Sequence, residues 1–109
     1  MRIHLHSRGP HVSSDLGRHT MRRLRFALGR FTGRIRHVAV QFDDPNGPRG
    51  GVDAQCQVRV GLDHGELVVV DELAPDPFVA VGRAADRVRR VVGERLERIR
   101  DKRRRGSAA

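Results

Sequence analysis

The chain has 109 residues, a formal net charge of +9 and a pI near 11.6. That length suits one domain, and 29 Val, Leu, Ile and Phe residues lift it above the roughly 20% apolar content below which chains tend to stay disordered. Cys56 is the only cysteine, which excludes a disulfide framework or a multi-cysteine zinc site within one chain. No apolar run approaches the ~20 residues of a membrane span. The opening MRIHLHSRGPH lacks the apolar stretch of a secretory signal. A cytoplasmic location without a membrane partner is expected.

Arg2–His6 alternates, with Ile3 and Leu5 on one side and Arg2, His4 and His6 on the other, which predicts a first strand. Ser7–His11 contains Gly9-Pro10 and is a loop. Ser13 or Ser14 can cap a first helix, with Asp15 favourably placed in its first turn. Val12, Leu16, Leu24, Leu28 and Phe31 supply its apolar side, and Gly33 is expected to end it after a fraying turn at Gly29. Arg18, Arg22 and Arg25 share an exposed face, with Arg23 beside them.

A second strand is expected over Ile35–Phe42, then a turn-rich loop, Asp43–Gly51. Val52–Leu62 gives the cleanest alternation in the chain, with Val52, Ala54, Cys56, Val58, Val60 and Leu62 facing one way, as in a sheet with one dry and one wet face. Asp63-His64-Gly65 is a tight hairpin turn and Glu66–Asp71 a fourth strand. Asp76 suits an N-cap and Pro77 the first helical position, where no amide is needed. From there Phe78, Val81, Ala85, Val88, Val92, Leu96 and Ile99 form one apolar stripe along a second helix. Arg83, Arg87, Arg89, Arg90, Arg95, Arg98 and Arg100 lie between them. The boundaries expected are a single α+β domain over residues 1–100 and a basic, disordered tail over 101–109.

The order β-α-β-β-β-α implies a right-handed first crossover, hence parallel first and second strands, with strands three and four added antiparallel. Both helices must then cover the single apolar face of a four-stranded mixed sheet, giving two layers. Two basic segments remote in sequence thereby reach one surface. Residues 1–42 hold 9 basic and 1 acidic residue, residues 43–81 hold 2 and 8, and residues 82–109 hold 11 and 4. Such a chain has a basic and an acidic pole and orients in a field before contact.

Of 22 basic residues only Lys102 is lysine. Arginine forks onto phosphate with two donors, so the pattern points to nucleic acid. Asp86 with Arg90 and Glu94 with Arg98 stand at the spacing of helix-stabilising pairs, but the remaining arginines outnumber the acids. With no Trp, no Tyr and four Phe at positions that read as core, phosphate contact is favoured over base stacking. His4 and His6 lack the further ligands of a metal site. Asp43-Asp44, before Pro-Asn-Gly, read as turn residues rather than a nuclease pair. No base, nucleophile and orienting group can be assembled, so no enzyme, cofactor or small-molecule substrate is expected. Cys56 is expected to be a buried, inert thiol.

The element order, the start MRIHLHSRG, the strand GVDAQCQVRVGL, and DPFVAV followed by ADRVRR resemble the ribosome hibernation-promoting factors, also called ribosome-associated inhibitor A, protein Y or sigma-54 modulation proteins. The likeness spans roughly residues 1–100 and is to the short form, without a dimerisation domain. The family's Asp-x-Tyr-x-Ala-Ile helix start matches Asp76, Phe78, Ala80 and Val81. Its basic positions fall on Arg87 and Arg90, and on Arg23 with Arg22 adjacent. Phe78 replaces the usual tyrosine, and Phe26 and Glu94 stand where many members are basic.

The resemblance implies a factor, monomeric when free, that binds the small ribosomal subunit and its rRNA under stress. It would block the tRNA and mRNA channel without catalysis. The expected rRNA contacts are Arg22, Arg23, Arg25, Arg83, Arg87 and Arg90, with Arg18, Arg98, Lys102, Arg103 and Arg104 as additional ones. The alternatives are a double-stranded RNA or DNA module unrelated to ribosomes, and a protein-interaction regulator acting through the acidic β-meander.

Overall fold

A computed structural model describes residues 1–8, 12–44 and 53–108. The elements are β1 (Arg2–Arg8), α1 (Ser14–Leu28), a 3-10 segment (Gly29–Arg34), β2 (Ile35–Asp43), β3 (Ala54–Leu62), β4 (Leu67–Ala74) and α2 (Pro77–Ala108). The strands form one sheet in the order β1-β2-β3-β4; β1 runs parallel to β2, and the other pairs are antiparallel. This is the α+β fold expected. The loop expectations at Gly9-Pro10 and from Pro45 to Gly51, and strand residue Val52, fall outside the described residues.

The alternation of β3 buries Cys56, Val58, Val60 and Leu62. Val38, Val40 and Phe42 of β2 and Val68 and Val70 of β4 join them. β2 carries a register shift between Ile35 and His37, so Ile35 and Val38 both turn inward although they are three residues apart. α1 presents Leu16, Leu24, Ala27 and Leu28 to this face; α2 presents Ala80, Val81, Ala84, Ala85, Val88 and Val92. Thr20 is buried among them and donates its hydroxyl to the carbonyl of Leu16 at 2.7 Å, which removes the cost of an unpaired polar group there.

Local sequence fixes the ends of the elements. Ser13 caps α1, its hydroxyl accepting from the Leu16 amide at 3.1 Å. Asp76 caps α2, with Oδ1 accepting from the Val79 amide at 3.0 Å. The β3–β4 turn places Gly65 at φ 106°, where a side chain would be strained. Gly61 has a different reason: a Cβ there would stand 2.3 Å from Cε1 of His37, whose ring lies across it on the open sheet face.

Several boundaries differ from expectation: β1 runs through Ser7 to Arg8, and β4 spans Leu67–Ala74 rather than Glu66–Asp71. α1 stops at Leu28, and the chain tightens into the 3-10 segment before β2. α2 stays helical to Ala108, where a disordered tail had been expected from residue 101. At ~1.5 Å per residue its 32 residues span about 48 Å, most of the 60 Å long axis of the molecule. Burial ends near Val92 and partial burial at Ile99, so the turns from Arg100 onward extend past the sheet as an exposed, basic helix end.

Candidate nucleic-acid interface

The helix layer has three arginine-bearing strips. On the flank over β1, Arg18, Arg22 and Arg25 edge a shallow cleft floored by Ile3, Leu5 and Met21. Arg22 and Arg25 have no hydrogen bond or ion pair with any described residue, whereas Arg18 pairs with Asp15 at 2.6 Å. The seam between α1 and α2 is bridged by Arg23, whose Nη2 donates to the Gly82 carbonyl and to Asp86 Oδ1, each at 3.2 Å. Arg23 is thus a helix–helix tie as well as a surface cation. Asp86 is committed to it, and Arg90, expected to pair with Asp86, is left without a partner among the described residues.

The third strip faces the β4 edge. Arg83 donates to the Leu73 carbonyl at 3.2 Å. Arg87 donates to the Asp71 carbonyl at 3.1 Å and to Glu72 Oε1 at 3.4 Å. Arg95 pairs with Glu66. β4 is an edge strand, and Arg83 and Arg87 satisfy carbonyls that no neighbouring strand covers. Each keeps further N–H donors, because a guanidinium has five.

Farther along the seam, an open groove of about 640 Å³ runs from the 3-10 segment to Arg103 of α2. Its lining is mixed in charge: Arg30, Arg89, Arg90, Arg100 and Arg103 stand there together with Asp86, Glu94 and Glu97, with Phe31 and Leu96 at its base. Arg98, Lys102 and Arg104 are exposed on the outer length of α2. The six expected contacts therefore lie on one helix layer, but in different strips: Arg22 and Arg25 at one flank, Arg23 and Arg90 centrally, Arg83 and Arg87 at the other flank.

The expectation that all four phenylalanines are core residues is overturned. Phe42 is buried and Phe31 packs against the core, but Phe26 is 76% exposed and Phe78 is 41% exposed. A helix turns about 100° per residue, so Phe26 stands ~200° from Leu24 and ~200° from Leu28, on the opposite side from both. That off-stripe phase was readable in the sequence. Phe78 meets His19 of α1, ring centroids 5.1 Å apart, at the start of the seam. The guanidinium of Arg89 sits 6.0 Å from the Phe26 ring centroid and that of Arg30 sits 5.3 Å from Phe31.

The acids are partly segregated. Asp43 and Asp71 lie with Gln41, Gln55 and Gln57 on the open sheet face, where the Gln57 amide donates to Asp71 Oδ1 at 3.2 Å. Asp63 anchors the β3–β4 turn: Arg34 Nε donates to Oδ2 at 2.9 Å, and this bond chiefly holds its carboxyl below the usual carboxylate range. Burial, helped by Asp71 and Glu72, pushes the Cys56 thiol up to about 12. Among the described residues no three His, Cys, Asp or Glu stand together to hold a metal ion, and no helix is long and apolar enough to cross a membrane.

The sequence matches no family model and no curated protein. Among solved structures the fold is similar to a ribosomal subunit interface protein from Coxiella burnetii, with a TM-score of 0.75 at 15% identity over 89% of this chain and 99% of that one. It is also similar to the N-terminal domain of Protein Y from Thermus thermophilus, with a TM-score of 0.69 at 25% identity over 84% of this chain and 96% of that one. These two likenesses show the fold. At these identities the shared sheet order and paired helices carry the likeness, while the arginine strips are features of this chain. Arg22, Arg25 and Arg90, without a hydrogen-bond or ion-pair partner among the described residues, all lie on the helix layer.

Proposed function

We propose that this chain is a ribosome-associated hibernation factor that binds the small ribosomal subunit through the outer face of its two helices. It inhibits translation by occupying the tRNA and mRNA channel under stress, in the cytoplasm, as a monomer until it docks. It acts by occupancy rather than turnover. One observation carries this reading: arginines from two remote segments share one helix layer, on a fold similar to a ribosomal subunit interface protein.

Arg22, Arg25 and Arg90 offer whole guanidinium groups to rRNA phosphate. Arg23, Arg83 and Arg87 offer the donors left after their internal bonds. Arg18, Arg98, Lys102, Arg103 and Arg104 extend the contact along α1 and the projecting end of α2. Residues 1–100 form the binding domain, and the helical extension adds reach. Such a contact is salt-dependent, because each neutralised phosphate releases counterions.

Cosedimentation with purified small subunits, competed by naked RNA duplex, tests the proposal. Binding that survives excess duplex and falls steeply with salt is the expected result. Equal displacement by duplex and by unlabelled subunits would point to a general duplex-binding module instead.

A further inference from the structure

We propose that Phe26, with Arg89 beside it, is a stacking seat for an unpaired RNA base at the centre of the arginine face. This rests on the RNA-binding reading above and adds to it a contact with a base rather than with phosphate.

The ring is the most exposed of the large apolar side chains described, at 76%, and it projects from the helix layer rather than from the open sheet face. Single exposed apolar residues are ordinary on protein surfaces. The surroundings of this one are not. Arg89 reaches across from α2 to stand 6.0 Å from the ring centroid. Arg22 lies four residues earlier on α1, about 6 Å along the helix axis, and Arg30 lies four residues later, in the 3-10 segment that follows α1. An apolar peptide settling on this ring would have to desolvate those guanidinium groups without neutralising them. A nucleotide meets both demands at once: its base covers the ring, and its flanking phosphates pair with the arginines. A fully paired helix hides its base faces, so the ligand is a single-stranded or looped segment.

The chain contains neither Trp nor Tyr, so Phe26→Trp introduces a sole strong fluorophore. Titrating that variant with single-stranded oligouridylate is expected to quench its emission, and a blunt RNA duplex of the same length is expected to leave it unchanged. Phe26→Ala and Phe26→Leu should bind the oligonucleotide about tenfold more weakly than the wild type, and Phe26→Tyr should retain affinity. Because the side chain is outside the core, all four variants should melt like the wild type, and circular dichroism checks this.

Three results overturn the proposal and are distinguishable. If Arg22→Glu with Arg90→Glu abolishes RNA binding while the Ala and Leu variants bind normally and the Trp signal is silent, the phosphate face stands and the stacking seat falls. If neither the arginine nor the Phe26 changes alter RNA binding, the assignment of the helix face as the RNA-binding surface fails with it. Equal quenching by duplex also refutes an unpaired base.

Discussion

Reversing Arg22 and Arg90 together to Glu separates the binding face from the structural arginines. Neither side chain holds a hydrogen bond or ion pair among the described residues, and both are exposed. Folding stability should therefore change by no more than about 0.5 kcal/mol. Binding should suffer far more. Each charge-assisted bond lost costs about 1.5 kcal/mol, roughly tenfold, so two lost contacts weaken binding about a hundredfold before the added repulsion is counted. The slope of log affinity against log salt should flatten by about 1.4–1.8, since each phosphate contact contributes ~0.7–0.9.

The control is Arg83→Gln with Arg87→Gln. Those arginines donate to the Leu73 and Asp71 carbonyls, so the pair should lose about 1–3 kcal/mol of stability, at ~0.5–1.5 kcal/mol per bond. It should flatten the salt slope less than the Arg22 and Arg90 pair does. Subunit cosedimentation across a salt series and urea melts of both variants supply the two readouts. Wild-type cosedimentation and slope in the Arg22 and Arg90 double variant would refute the assignment of the binding face.

Leu28 is fully buried where α1 meets the sheet, so Leu28→Ala should cost about 2–5 kcal/mol in urea unfolding, while Leu73→Ala on the exposed side of β4 should cost under about 0.5 kcal/mol. Asp76→Ala removes the cap on the Val79 amide and should cost about 1 kcal/mol, which Asp76→Asn should largely restore. The Cys56 thiol is raised from 9.0 to about 12 in the fold, so across that window the unfolded chain releases a proton that the folded chain keeps, and stability should fall as pH rises. Alkylation of Cys56 at pH 9 should accordingly track unfolding; rapid labelling of the native protein would contradict its burial. Asp63 has the opposite sign. Its depressed value stabilises the fold above the ordinary carboxylate range, near pH 3.9, and that contribution is lost as pH falls through the folded value, so Asp63→Asn should destabilise at neutral pH and match the wild type in strong acid.

The architecture was legible because its determinants are local. The twofold alternation of β3, the three-and-four spacing of α2, the caps Ser13 and Asp76 and the turn at Gly65 each act within a few residues, and together they leave one way for two helices to cover one apolar sheet face. The end of α2 was misjudged because a run of like charges reads as unstructured, yet arginine is a good helix former and the helix is already nucleated by Val81–Val92 against the sheet.

What the sequence determined by itself is therefore which faces exist: an apolar stripe on each helix, an alternating strand, and an excess of arginine on what remains. The tertiary structure decided which of those arginines are free. Asp86 stands four residues before Arg90, but Arg23, 63 positions away in the chain, takes it across the seam. Arg83 and Arg87 are occupied because β4 happens to be the edge strand beside α2, and Phe26 is bare because nothing from the second helix closes over it but Arg89. Periodicity depends on residues a turn apart; the partner of a charge depends on what the fold brings opposite, and that is a property of long-range packing.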